Sequence, residues 1–462
     1  MRSVRGNMVP RFAAFTAFFI AFGAAAAFGA GQPVGDSIRP VAGMIESLWE
    51  AGRSFPAVEM FQQQGPTLAA VDGKSGGLHA QRQVLGEALN DGVLLSFDPS
   101  AARALISDAP ETMTLALPAV GGRVELELGR VELFTPDFTV VTSGSKGNAV
   151  QYRPGVHYRG VVRNVPGSIA AISVFDHEVI GLYSTPDSGE VVIGRLGGAN
   201  QENTHIAYAA RDLKKPSNFS CSTPDDQVSI PLQDEGMLPM AAMATCVRIY
   251  VEADYDLYKN KGSVQNVTNY VTGFFNQSAT LYQNESIPIT MSQLYIWTSR
   301  SPYKGRTSST LLSQFQKYRT SFNGDLGHLV ALRGGGGIAA GFSGFCNPTT
   351  SQRQCFSMVD TTYNNVPTYS WTVMVFTHEM GHLMGSRHTH ACVWNGNNTA
   401  IDGCYSVEGT CPRPGIPAEG GTIMSYCHLQ SVGTNFTLGF GPQPGGVIRT
   451  KYASASCLVT CP

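Results

Sequence analysis

Residues 378 to 388 read His-Glu-Met-Gly-His-Leu-Met-Gly-Ser-Arg-His, and Gly-Thr-Ile-Met-Ser-Tyr follows at Gly421 to Tyr426. On a helix, residues four apart share a face, so His378 and His382 can offer imidazole nitrogens to one Zn²⁺ from consecutive turns. Glu379 then stands beside the ion without binding it. There it can take a proton from a water whose pKa zinc lowers toward about 7, and pass it to a leaving amine. His388 lies six residues past His382, off that face, so the chain must turn between them. Gly385 supplies the turn, because glycine accepts the positive φ that ends many helices. Three neutral histidines leave a fourth coordination position open, which separates a catalytic zinc site from a closed structural one.

A bare HExxH arises by chance on many helices, but the full HExxHxxGxxH with a methionine downstream is far more restrictive. On these residues the chain resembles the metzincin zinc metallopeptidases. The resemblance implies an α/β (α+β) catalytic domain with a mixed twisted sheet and an active-site helix. It also implies one catalytic zinc on His378, His382 and His388, with Glu379 as general base and then acid, and Met424 beneath the histidines. Tyr426 falls two residues after Met424, where astacin-like and serralysin-like members carry a tyrosine that can ligand zinc or steady the oxyanion; a tyrosine that only packs is the alternative. The cysteine-rich stretch Cys392, Cys404, Cys411 and Cys427 resembles the reprolysin/adamalysin-like branch. That branch usually carries Asp directly after the third histidine, and this chain has Thr389. His390 lies outside the family pattern and reads as a loop histidine. A structural Ca²⁺ is compatible with the resemblance, and the sequence carries no pattern that locates one.

Around this centre the composition is unremarkable for a folded exported protein. Charged residues make up 14% of 462, with a formal net charge of −2, so nothing points to nucleic acid or an anionic surface as partner. The N-terminus carries Arg2, Arg5 and Arg11, followed by an uncharged Ala/Phe-rich run to about Ala30. Residues 1–30 therefore read as a secretory signal peptide, with an uncleaved anchor as the rival reading. Ten cysteines in an exported chain predict a disulfide framework, with Cys346 to Cys355 and Cys457 to Cys461 as candidate local pairs.

Residues 31–240 show short alternating runs between Gly/Pro turns: Val124 to Leu128, Thr139 to Thr142, Tyr158 to Arg163, Ile169 to Val174 and Glu190 to Ile193. This predicts a β-rich domain. The stretch from His157 to Ser173 resembles a reprolysin-type propeptide, which makes this half a prodomain acting as intramolecular inhibitor; a permanently attached β-sandwich is the alternative. Cys221 lies in a polar linker. In related zymogens a prodomain thiolate fills the open zinc position, although the usual surrounding pattern is missing here, and pairing with Cys246 is the other reading.

From residue 241 to 462 the pattern turns α/β. Strands are expected at Val247 to Ala253, Ile287 to Trp297 and Leu326 to Leu332. Helices are expected at Asn266 to Tyr282, Ser309 to Phe322, from Ser370, and at Gly445 to Ser454. The run Gly334 to Gly337 lacks the lysine of a phosphate loop. Ile338 to Phe345 fits a cleft-facing sheet edge able to bind an extended peptide. The expected function is a secreted zinc metalloendopeptidase made as a zymogen and acting on peptide or protein substrates. The competing class is an inactive extracellular binding protein on the same fold, and the complete set of His and Glu argues against it.

Overall fold

A computed structural model describes residues 40–70, 79–197, 203–215, 220–231, 245–359 and 366–461. The expected signal segment and the 240/241 junction lie outside the described residues. Among the described residues no helix is long and apolar enough to cross a membrane.

The alternating runs of the first half build a ten-stranded sheet. Its spatial order is Ala57–Val58, Thr112–Ala119, Gly122–Arg130, Val156–Val162, Ile169–Phe175, Glu178–Thr185, Gly189–Arg195, Thr204–Ala209, Val93–Phe97 and Phe61–Gln63. All seven residues of Ile169–Phe175 are buried, because this central strand is covered on both faces. One face meets the helix Pro99–Asp108, through Ala102 and Leu105, and the other meets a helix from the second half. The helices Pro40–Glu50, His79–Ala88 and Pro99–Asp108 were not expected from the strand-like pattern. The last was legible: Asp98 accepts from the Ser100 and Ala101 amides, and Pro99 sits in the first turn.

The second half is organised by a sheet ordered Ser220–Cys221, Gly336–Ala339, Gln354–Met358, Leu326–Ala331, Thr245–Ala253, Ile289–Ile296 and Phe134–Thr142. Gly336–Ala339 runs antiparallel to Gln354–Met358, and the remaining pairs are parallel. Two of these strands come from the first half. Phe134–Thr142, expected as part of the N-terminal β domain, instead pairs with Ile289–Ile296. Its alternation suits a half-buried strand in either sheet, so periodicity could not choose between them.

The long helix Val264–Asn284 lies between the sheets, started by Ser263, whose hydroxyl accepts from the Asn266 amide at 3.1 Å. Its face toward the first sheet carries amides. Asn276 Nδ2 donates to the Tyr158 carbonyl at 3.2 Å, and Arg159 donates to Asn276 Oδ1 at 3.0 Å and Gln283 Oε1 at 2.7 Å. Its other face is aromatic: the ring of Phe274 lies 5.1 Å from that of Phe376, and Tyr282 donates to the Thr377 carbonyl at 2.8 Å. Phe376 and Thr377 belong to the helix Tyr369–Leu383, so this packing sets the pose of the helix that carries His378 and His382.

The disulfides are Cys246–Cys461, Cys346–Cys457, Cys392–Cys411 and Cys404–Cys427. This corrects both local pairings. The C-terminal strand Val459–Thr460 runs antiparallel to the start of Thr245–Ala253, which carries Cys461 to Cys246 and Cys457 to Cys346. Cys355 is fully buried mid-strand in the core and remains free.

Candidate metal and peptide site

The helix Tyr369–Leu383 begins one residue before the expected Ser370, with Thr368 at its N-cap. It ends where the spacing predicted: Gly385 has φ +115°, and the Ser386 amide returns to the Gly381 carbonyl at 3.0 Å. The turn swings His388 back toward the helix.

The three imidazoles converge. His382 Nε2 lies 3.2 Å from His378 Nε2 and 3.2 Å from His388 Nε2. Zn–N bonds of about 2.0–2.1 Å at tetrahedral angles would put ligand nitrogens roughly 3.3 Å apart, so the residues fit zinc. Each ring is oriented from its far nitrogen. His378 Nδ1 donates to the Ile423 carbonyl at 2.8 Å, His382 Nδ1 to the Ser386 carbonyl at 2.8 Å, and His388 Nδ1 faces both Glu408 oxygens at 3.0 Å. Burial holds all three below the usual histidine pKa, which keeps them in the neutral form a metal needs.

Glu379 is fully buried beside this cluster, and burial pushes its carboxyl up to about 8. Gly337 on the edge strand passes directly over it, and a Cβ there would collide with the Glu379 carboxylate. Met424 lies under the helix against Gly381, where a Cβ would crowd its sulfur to 2.9 Å. Thr389, in the place of the branch's usual Asp, ties the third-histidine loop to that methionine: its amide and hydroxyl reach the Met424 carbonyl at 3.1 and 3.3 Å. His390 is a buried loop residue, stacked on His388 at 4.8 Å and 3.5 Å from Glu408.

The strand is Gly336–Ala339, so of the expected Ile338 to Phe345 only Ile338 and Ala339 are in it, and the outermost place in the sheet is taken by Ser220–Cys221. Ser220–Cys221 lies along it in parallel, with Ser220 opposite Gly336 and Cys221 opposite Gly337. Cys221 makes no disulfide with Cys246. Its Sγ stands 3.4 Å from His382 Nε2 and groups with His378, His382 and His388 as a fourth donor. Burial, and then the charge of Glu379, push this thiol well above its ordinary value of 9.0, so the sulfur becomes a thiolate only beside a cation. Tyr426 grips the same residue: the Cys221 amide donates to its hydroxyl at 2.7 Å, and that hydroxyl lies 3.1 Å from the Cys221 carbonyl. Thr223 reaches Glu379 Oε2 at 3.3 Å, and Asp226 pairs with Arg387 at 2.5 Å.

Residues 244–437 match the profile of metallo-peptidase family M12. Among solved structures, the crystal structure of metalloproteinase-II from Bacteroides fragilis aligns over 66% of this chain and 92% of its own, at 12% identity and a TM-score of 0.40. A chaperone-substrate complex aligns over 60% of this chain and 46% of its own, at 9% identity and a TM-score of 0.24. Both scores are too low to carry an argument, whereas the profile match spans His378, Glu379, His382, His388 and Met424. Over residues 244–437 the chain is therefore similar to the M12 metallopeptidases, which supports a metzincin-like metallopeptidase.

Proposed function

We propose that the protein is an exported zinc metalloendopeptidase held inactive by its own N-terminal half, residues 31–240, with residues 241–462 as the catalytic domain. The observation that carries this is the placement of Cys221 Sγ among three convergent histidine Nε2 atoms, on a strand that fills the sheet edge beside them. His378, His382 and His388 would hold the ion, and their Nδ1 partners fix the rings for it. Zinc, when bound, supplies Lewis acidity toward water and the scissile carbonyl.

The chain's own residues do the rest. Glu379 is the general base and then acid, and its raised pKa suits proton transfer near neutrality. Gly336–Ala339 can receive an extended substrate by strand addition once Ser220–Cys221 has left. The Tyr426 hydroxyl, which now holds both polar groups of the Cys221 peptide, becomes available to a developing oxyanion. Export is supported by the four disulfides and by the signal-like N-terminus.

The test is cleavage of an unfolded protein by the full chain after limited proteolysis in the linker. Zinc-dependent endoproteolysis is expected, lower by a factor on the order of 10²–10⁴ in Glu379→Ala at equal zinc content. Equal cleavage by both proteins removes Glu379 from the chemistry. No cleavage by either, with zinc bound and the linker cut, overturns the peptidase reading.

A further inference from the structure

The three histidines are not supported alike. His378 and His382 give their Nδ1 protons to backbone carbonyls, those of Ile423 and Ser386, whereas His388 faces a side-chain carboxylate, that of Glu408. We propose that Glu408 is the positioning residue of the metal site: it fixes the tautomer and tilt of His388 so that Nε2 points at the other two ligand nitrogens. This rests on reading His378, His382 and His388 as the zinc ligands.

Several independent features build Glu408 into this place. Both of its oxygens lie 3.0 Å from His388 Nδ1, so the carboxylate straddles the N–H direction. Its backbone is fastened both ways to the chain just beyond the histidine: the Glu408 amide donates to the His390 carbonyl at 3.0 Å, and the Cys392 amide donates to the Glu408 carbonyl at 2.8 Å. The Cys392–Cys411 disulfide closes the loop around this bridge. Gly409, at φ +123°, lets the loop pass so close that a Cβ would come within 2.8 Å of Cys392 Cβ. The Trp394 indole donates to the His388 carbonyl at 2.7 Å, which fixes the backbone while Glu408 fixes the ring.

The chemistry follows from the donor set. A carboxylate accepting from Nδ1 leaves Nε2 unprotonated and makes it a stronger donor to a cation. Glu408 faces Nδ1 of His388 while Nε2 faces His382, so Glu408 acts through His388 and does not touch the reacting atoms. Removal of such a partner lowers metal affinity by roughly 10–100-fold in other zinc sites.

The experiment measures zinc affinity of the full chain by competition with a chelator, for wild type, Glu408→Gln, Glu408→Ala and His388→Ala, alongside the thermal unfolding of each zinc-free protein. The expected result is a loss of affinity of about 10–100-fold in Glu408→Ala and a smaller loss in Glu408→Gln, which keeps an acceptor, with zinc-free unfolding near wild type. If Glu408→Ala does not fold, Glu408→Gln carries the reading alone, and wild-type affinity in it overturns the proposal. Wild-type affinity in both Glu408 variants, with binding lost in His388→Ala, overturns the role of Glu408 and leaves the ligand assignment standing. Undiminished binding in His388→Ala overturns the ligand assignment itself.

Discussion

The first half of the chain lends a strand to each edge of the second half's sheet, and the two loans differ in kind. Phe134–Thr142 pairs with Ile289–Ile296 across a register from Phe134 opposite Met291 to Thr142 opposite Ile296, far from any chemistry. Ser220–Cys221 offers only two register pairs, yet it delivers a sulfur to the histidine cluster and a peptide group to Tyr426. Extent of pairing and functional weight are therefore separate. On the proposed zymogen reading, the long strand anchors and the short one plugs.

The sharpest way to break this contrast is Cys221→Ala in the uncut chain. Peptidase activity should rise at least about 100-fold, equivalent to roughly 3 kcal/mol, with little change in unfolding temperature. A silent substitution would hand the inhibition to some other contact of the N-terminal half.

A comparable effect should come from pH at a third junction. Glu190 is buried between the halves and accepts the Phe436 amide at 2.7 Å. Burial raises its pKa from 4.5 to about 7, so the folded protein binds more protons than the unfolded one between those values. Stability should then fall as pH rises through that window, by on the order of 3 kcal/mol. In Glu190→Gln, denaturant titrations between pH 5 and 7.5 should lose this slope, and a slope retained in full would place the pH dependence elsewhere.

On the anchoring strand, Val140 is 1% exposed, and Val140→Ala should cost about 2 kcal/mol in chemical denaturation while leaving the uncut chain inactive. Activity appearing in that variant would show that the long strand also restrains the site. The smallest effect belongs to Thr389→Val, which removes the hydroxyl contact to the Met424 carbonyl but keeps the amide one. It should lower stability by about 1 kcal/mol, read from the denaturation midpoint.

The histidine cluster was legible because a helix and a glycine turn fix local geometry: once His378, His382, Gly385 and His388 are given their spacing, little else is needed to converge them. The principal strands and helices of the second half were legible for the same reason, with boundaries moved by a few residues. What escaped depends on where distant segments meet. Phe134–Thr142 has an apolar alternation that suits either sheet, and only the assembled molecule decides which edge takes it. Gly337 looked like one of four loop glycines until its path over Glu379 made a side chain there impossible. Glu408 carried no motif at all. Its role arises from a loop closure that sequence spacing does not express, just as nearest-neighbour spacing misled the pairing of Cys346 and Cys457.

All four disulfides lie between Cys246 and Cys461, and none crosses to the first half. While the chain is whole, the plug is tethered, and tethering of this sort gives an effective concentration on the order of millimolar at its binding edge. A single cut at the proposed junction leaves no covalent link between the two pieces. Under the proposed inhibition, the strand then competes for its groove as an ordinary solute, and simple dilution into a large volume would favour the open site.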